Sequence, residues 1–408
     1  MTNIELFTAA LGLQSPWQIV KVDFAEVSAN TPELHLWIDF QKGHKFSIGG
    51  TTSTAYDTVD RTWRHLNFFQ HKCFIHCPVP RLKIGDGSIQ MVSVPWARKG
   101  SGFTLLFEAF ALELIRSEMP VSRIGELLGE NPNRIWTIFR HHVGAAYQAA
   151  DHSGIEALGL DETSVRKGHN YITLGVDMQE RSVVRVVPGK GASSVLQIAD
   201  YLKTKGSPAE KVRHVCMDMS PAFISGVGEG FPEAAITFDR YHVKVLLNQA
   251  MDEVRKAERK EHAMLKDHKY TFLRNESTLS ERKRRERDEL ITLFPTLGEA
   301  YRLKVLFDDF WDFENSIDAE AFLKDWCKQA EKAKINPYLK FVNTLKAHWS
   351  GIINYINSKI SNGILEGINS KIQLAKRRAR GYSNLQNLSM MIYLIAGNLI
   401  FNHPHKTA

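Results

Sequence analysis

No stretch of about 18 consecutive apolar residues occurs in this 408-residue chain, which excludes a bilayer-spanning helix. The amino terminus, Met1 to Trp17, has neither an early basic cluster nor the continuous apolar core of a secretory signal, so a cytoplasmic location is expected. Cysteine is scarce. Cys73, Cys77, Cys216 and Cys327 are too few and too scattered for a disulfide framework, and free thiols in a reducing compartment are expected. Internal repeats and long low-complexity tracts are also missing, which argues against a solenoid or a disordered tail. What is present is an ordinary globular composition, 43% hydrophobic and 24% charged, on a chain long enough for two to four domains. Lysine and arginine outnumber aspartate and glutamate by 52 to 45, a formal charge of +7 that favours a polyanionic partner. Many basic proteins touch no nucleic acid, so the distribution of charge has to decide.

Residues 1–95 read as a small β-rich module. Leu34 to Phe40 alternates, Trp63 to Phe69 and Cys73 to Leu82 follow as strands, and glycine- and proline-containing turns separate them. Pro95 to Gly102 reads as a linker. Across 102–150 the period turns helical, and Pro120 to Val143 has the layout of a helix-turn-helix. A first helix over Val121–Leu128 ends at Gly129, Asn131 caps the next, and Pro132 takes its first position, where a missing N–H costs nothing. Ile135, Ile138, Phe139 and His142 then share one face. Asn133, Arg134, Thr137, Arg140 and His141 are left as candidates to meet a major groove, although an ordinary helical hairpin has the same layout.

Residues 151–245 change rhythm. Ile155–Thr163, Tyr171–Met178 and Val183–Val187 read as three strands, Ser193–Lys203 as a helix, Val212–Met219 as a strand buried on both faces, Pro221–Gly230 as a turn and short helix, and Ala235–Phe238 as a last strand. A three-strand meander, crossover helix, strand, helix and strand is the order of the ribonuclease-H-like α/β fold. Residues 246–355 form a helical insertion, beginning with mixed-charge helices, and Trp311, Trp326 and Trp349 are expected in its core. Residues 356–408 return to the α/β core.

Such a sheet brings one aspartate on its first strand beside another at the end of the adjacent fourth strand. Here they are Asp161 and Asp218, each following apolar strand residues, where an unpaired carboxylate is costly and needs a metal or a cationic partner. Glu162 rivals Asp161, but neighbouring strand side chains face opposite sides and only one can aim at the site. A third carboxylate is expected from a later helix, and Glu366 is the candidate; taken singly it reads as a surface glutamate. On its helix Leu365, Ile368, Ile372, Ala375 and Ala379 form an apolar stripe, while Glu366, Asn369, Ser370, Gln373 and Arg377 form a polar one. Lys371, Lys376, Arg377, Arg378 and Arg380 make this helix a candidate phosphate-tracking element. Three convergent carboxylates suit two hard divalent ions, Mg2+ or Mn2+, about 3.5–4 Å apart, the arrangement for phosphoryl transfer.

The segments Leu158 to Thr163, Asp218 to Phe223, Phe238 to Val243, and Ser361-Asn362-Gly363 through Gly381-Tyr382 resemble those of bacterial insertion-sequence transposases of the ISL-three group. The resemblance covers nearly the whole chain. It implies an amino-terminal zinc-ribbon-like module, a helix-turn-helix, and a DDE catalytic core with a helical insertion before its glutamate. It also implies double-stranded DNA partners, the terminal inverted repeats and a target, engaged by a dimer or larger assembly near the nucleoid. Asp161, Asp218 and Glu366 match the three catalytic positions, and Asp239 and His242 match a further motif as accessory candidates. Members of the group carry paired CxxC knuckles in the first module, whereas the corresponding turns here read Ser47-Ile48-Gly49-Gly50 and Ile84-Gly85-Asp86-Gly87. Cys73 and Cys77, with His71 and His76 nearby, lack a second separated pair, so a structural zinc is not expected. The expected activity is cleavage of element ends and joining of their 3′ hydroxyls to target DNA. Two rival readings are a decayed transposase acting as a DNA-binding regulator and a structure-specific nuclease or resolvase.

Overall fold

The computed structural model describes residues 2–26, 32–166, 170–360 and 363–401. Ser361 and Asn362, which open the last of the four motifs, lie outside the described residues. The chain opens with helix α1 (Asn3–Ala10), closed at its start by a reciprocal pair: Thr2 Oγ1 accepts from the Glu5 N–H, and Glu5 accepts from the Thr2 N–H. Seven strands follow: β1 (Trp17–Ala25), β2 (Glu33–Phe40), β3 (Phe46–Ile48), β4 (Thr51–Ser53), β5 (Asp57–Phe68), β6 (His71–Lys83) and β7 (Ile89–Met91). Their main sheet has the order β1-β2-β6-β5, with β7 also on β6. β2 and β6 are parallel and the other neighbours antiparallel. Gly49 and Gly50, both at positive φ, turn the separate β3–β4 hairpin, and Ile84–Gly87 turns β6 into β7. Both cysteine-free turns therefore sit at hairpin tips.

Strand alternation explains the cysteines. Cys73, Ile75, Cys77 and Val79 face the core with Leu34, Leu36 and Ile38, and burial pushes the thiols of Cys73 and Cys77 up to about 12. His76, on the opposite face, bonds to His35 at 2.7 Å and Thr62 at 2.9 Å, and His71 bonds to the Pro32 carbonyl. The two cysteines pack; the two histidines are committed elsewhere.

The helical segment contains α2 (Leu105–Arg116), α3 (Val121–Leu128) and α4 (Pro132–Ala149). Gly129 ends α3 in the left-handed region at φ 64, Asn131 Oδ1 accepts from the Asn133 N–H, and Pro132 starts α4, as the sequence requires. α4 runs beyond the expected hairpin because its last turns have something to bury against. The Tyr147 ring lies 4.0 Å from that of Tyr393, and its hydroxyl donates to the Val184 carbonyl at 2.8 Å. One apolar cluster accordingly runs from Phe107 and Phe139 through Val176 and Val186 to Leu365, Ile372 and Ile392. The helical hairpin and the α/β sheet share a core.

That sheet comprises β8 (Ala157–Arg166), β9 (Asn170–Asp177), β10 (Ser182–Pro188), β11 (His214–Met217) and β12 (Ala235–Phe238), in the order β10-β9-β8-β11-β12. The first three form an antiparallel meander; β8, β11 and β12 run parallel. α5 (Ala192–Thr204) and α6 (Pro221–Gly230) supply the crossovers and cover the face of Leu158 and Leu160. Then α7 (Arg240–Glu261), α8 (Lys269–Leu273), α9 (Glu281–Leu293), α10 (Pro295–Asp308), α11 (Ser316–Ala333), α12 (Asn336–Ala347) and α13 (Trp349–Ser358) form a helical block after the last strand. Its core holds Trp326, fully buried with its Nε1–H donated to the Leu303 carbonyl, and Trp311, while Trp349 packs at its margin. α14 (Gly363–Arg378) and α15 (Leu385–Ala396) return to cover the second face of the sheet. None of the described helices is long and apolar enough to cross a membrane.

Candidate active site and nucleic-acid interface

Register brings the acids together. Cys216 pairs with Gly159, and Met217 with Phe238. Continued past the ends of β11 and β12, this pairing sets Asp161, Asp218 and Asp239 in one row across the three parallel strands. The ladder does continue, since the Asp239 N–H donates to the Met217 carbonyl at 3.0 Å. Period two puts Gly159, Asp161 and Thr163 on the face covered by α14 and sends Glu162 to the other.

Each acid is held by its own local structure. Asp161 Oδ1 accepts from the Glu162 N–H at 2.8 Å, and Oδ2 accepts from Asn369 Nδ2 at 2.6 Å. Burial is the main cause that raises the Asp161 carboxyl to about 6; Asp218 and Asp239 push the same way, while the Glu162 N–H and His242 oppose. Asp218 Oδ1 accepts from the Ser220 N–H at 2.9 Å, forming the turn into α6. Asp239 caps α7 by accepting from the Tyr241 N–H and lies 3.8 Å from His242 Nε2. Of the expected accessory pair, Asp239 is buried and His242 half-exposed beside it.

Glu366 is exposed and stands one turn before Asn369 on α14, on the flank of the sheet that carries Asp161. The helix is fastened to β8 by a ladder of polar contacts. Asn369 reaches Asp161, Gln373 Nε2 donates to Thr163 Oγ1 at 2.9 Å, and Lys376 Nζ donates to the Ser164 carbonyl. The expected polar stripe therefore divides: Asn369 and Gln373 turn inward, joined by Lys376 of the basic set, while Glu366, Ser370 and Arg377 face out. The i, i+4 spacing of Asn369 and Gln373 opposite alternate residues of β8 is the sequence signal for this inward side.

The donor set suits a hard divalent ion in kind, with carboxylate oxygens at mid-strand in β8 and just past the end of β11 and, beside them, Asn369 Oδ1, a buried acceptor with no partner among the described residues. Among those residues no three of histidine, cysteine, aspartate or glutamate stand close enough to hold an ion, so Glu366 is not already in ligating reach of both aspartates.

On the nucleic-acid side, Asn133, Thr137 and His141 are exposed along α4, and Arg140 is half-buried with Nε donated to the Trp136 carbonyl. Arg134 is engaged: it bonds to Glu130 at 2.7 Å and lies 4.4 Å over the Phe103 ring. On α14, Lys371 and Arg377 are exposed, whereas Arg378 pairs with Glu118 and Lys376 is committed to β8; Arg380, expected to continue the helix, is exposed but lies beyond its end, in the turn at φ 56.

A helix-turn-helix joined through one core to an α/β sheet with aligned carboxylates defines a DNA-processing class. Similarity to known proteins makes this specific: residues 158–392 match the family model described as a transposase, and residues 92–143 match the helix-turn-helix domain of transposase family ISL3. The chain belongs to the ISL3 family of DDE insertion-sequence transposases. It is 26% identical over 394 residues to the transposase for insertion sequence element IS1001 of Bordetella parapertussis, covering 94% of this chain and 96% of that protein. It is 23% identical over 438 residues to the transposase for insertion sequence element IS1557 of Mycobacterium tuberculosis, covering 98% and 97%.

Proposed function

We propose that the chain binds the terminal inverted repeats of an insertion sequence, cleaves the element ends and joins their 3′ hydroxyls to target DNA, with Asp161, Asp218 and Glu366 as the catalytic carboxylates. The observation that carries this reading is the juxtaposition of Asp161 and Asp218 on neighbouring parallel strands under the helix that bears Glu366. The strand order, a meander followed by two parallel strands, supports a ribonuclease-H-like core interrupted by the insertion at 246–355. The amino-terminal hairpin tips support a ribbon-like module that folds on apolar residues without zinc.

Two divalent ions, when bound, supply charge neutralisation on the attacking and leaving oxygens. The side chains do the rest. Asp161, fixed by the Glu162 N–H and by Asn369, and Asp218, fixed by the Ser220 N–H, offer preset carboxylate oxygens. Lys371 and Arg377 on α14, with Arg380 in the turn beyond it, extend a cationic surface for the DNA backbone, and Asn133, Thr137 and His141 are offered to base edges by α4. Water first attacks the phosphodiester at each end, leaving a 3′ hydroxyl. That hydroxyl then attacks a target phosphodiester in line, forming a new phosphodiester as the target strand's own 3′ oxygen leaves as a hydroxyl, so both nucleophiles use one site, within a dimer or larger assembly on DNA.

The test is incubation with labelled element-end DNA, Mg2+ and a target plasmid. Wild type gives joined products; D161N, D218N and E366Q each shift the end DNA in gels yet give neither nicks nor joints. Joining by all three amide variants at the wild-type rate removes the assignment, and shifted complexes without chemistry in wild type favour the regulator instead.

A further inference from the structure

The ladder between α14 and β8 has one member unlike the others. Gln373 and Lys376 meet a hydroxyl and a backbone carbonyl, groups that only dock the helix. Asn369 meets the carboxylate of Asp161 at 2.6 Å. The orientation of its amide is fixed by that partner, since a carboxylate needs a donor, so Nδ2 faces Asp161 and Oδ1 faces away. Oδ1 is buried with no partner among the described residues. A buried acceptor left without a donor is destabilising, a cost that a bound water would offset. A hard divalent ion keeps several waters when it binds carboxylates.

We infer that Asn369 is a positioning residue of the divalent-ion site: Nδ2 orients the Asp161 carboxylate, and Oδ1 accepts a hydrogen from water in the ion's hydration shell. A carboxylate oxygen has two lone-pair sites, so Oδ2 can accept from Asn369 and still bind an ion. The same bond fixes the rotation of α14 one turn beyond Glu366, linking the orientation of one proposed ligand to the position of another. The inference rests on the reading of Asp161 as an ion ligand.

The experiment measures Mn2+ binding to the full chain by electron paramagnetic resonance, with end-DNA binding and melting temperature followed in parallel. N369L and N369A should bind Mn2+ about 10–100-fold more weakly than wild type, the usual effect of losing a residue that orients a ligand, with end-DNA affinity unchanged. Q373A, which removes a docking contact without touching Asp161, should change Mn2+ affinity less than about threefold on the same reasoning. Wild-type Mn2+ affinity in both Asn369 variants overturns the inference, as does an equal loss in Q373A, which would make helix docking the cause. D161N separates the two levels. If D161N binds Mn2+ like wild type, the metal-site reading fails; if D161N loses binding and the Asn369 variants keep it, only the role of Asn369 fails.

Discussion

Arg64 of the amino-terminal sheet donates a guanidinium N–H to the Leu128 carbonyl at 3.0 Å, in the last turn of the first helix of the DNA-binding hairpin. The same side chain, almost fully buried, bonds to the Cys73 carbonyl, His65 and Asn67 and lies 3.4 Å from Glu130. Glu130 in turn holds Arg134 and precedes the cap residue Asn131. The amino-terminal sheet thereby grips the turn that aims α4.

Removing this buried cation leaves Glu130 to Arg134 alone and strands the carbonyl and amide acceptors around Arg64. R64A should cost about 3–5 kcal/mol of stability, the scale for breaking a buried pair. R64K should not rescue it, because an ammonium cannot reproduce the planar fork. Denaturant unfolding measures both; an R64A midpoint within error of wild type would show that the turn holds its shape without Arg64.

Asp161 sets a pH dependence. Its carboxyl is raised to about 6, so it is protonated below that value and available to an ion only above it. Activity at limiting Mg2+ should rise as pH passes through about 6, and saturating metal should shift the rise downward, because binding favours the ionised form. Stability has the opposite sign. With a folded-state value above the unfolded one, the contribution is fully present below about 4 and lost as pH rises through about 6. D161N should therefore be inactive with Mg2+ present yet, in metal-free buffer at neutral pH, more stable than wild type by up to about 3 kcal/mol. A less stable D161N would contradict this account of the burial.

Much of this was legible because it is written in local chemistry. Gly129, Asn131 and Pro132 specify the turn between α3 and α4 by backbone and capping requirements that no distant contact alters. Asp161 and Asp218 follow apolar strand runs, so their register needed only the strand order. The partners of charged side chains were not legible. Arg134, Lys376 and Arg378 look like free cations in the sequence, and their commitments to Glu130, the Ser164 carbonyl and Glu118 depend on tertiary approach. The first strand, β1, lacks the strict alternation of β2 and does not stand out in the sequence, since a shift in its pairing between Ile19 and Lys21 breaks the period.

Those commitments predict which cations carry DNA affinity. K371A, R377A and R380A should each lower the slope of log affinity against log salt by about 0.9 for every phosphate the side chain would have neutralised. R134A should leave the salt slope nearly unchanged and lower thermal stability, because its guanidinium already serves Glu130 and Phe103. Titrations of end-DNA binding over a range of salt discriminate the two sets, and equal slopes for R134A and R377A would refute the distinction.

Gly159 tests the seat of α14 without touching a carboxylate. It lies two residues before Asp161 on the same face, where a Cβ would stand 2.5 Å from Met178 Sδ and 3.1 Å from Leu365 Cδ2. Met178 can swing aside, but Leu365 is fully buried and immediately precedes Glu366, so the helix itself must give. Even a small displacement at Leu365 moves Glu366 relative to Asp161, and misplacement of about 1 Å can cost about 100-fold in rate. G159A should consequently reduce end cleavage by about 10–100-fold, with end-DNA affinity retained because α4 is seated elsewhere in the core. G159V, which adds two more carbons to the same gap, should abolish cleavage. Wild-type cleavage by G159A would show that Glu366 does not depend on this seat.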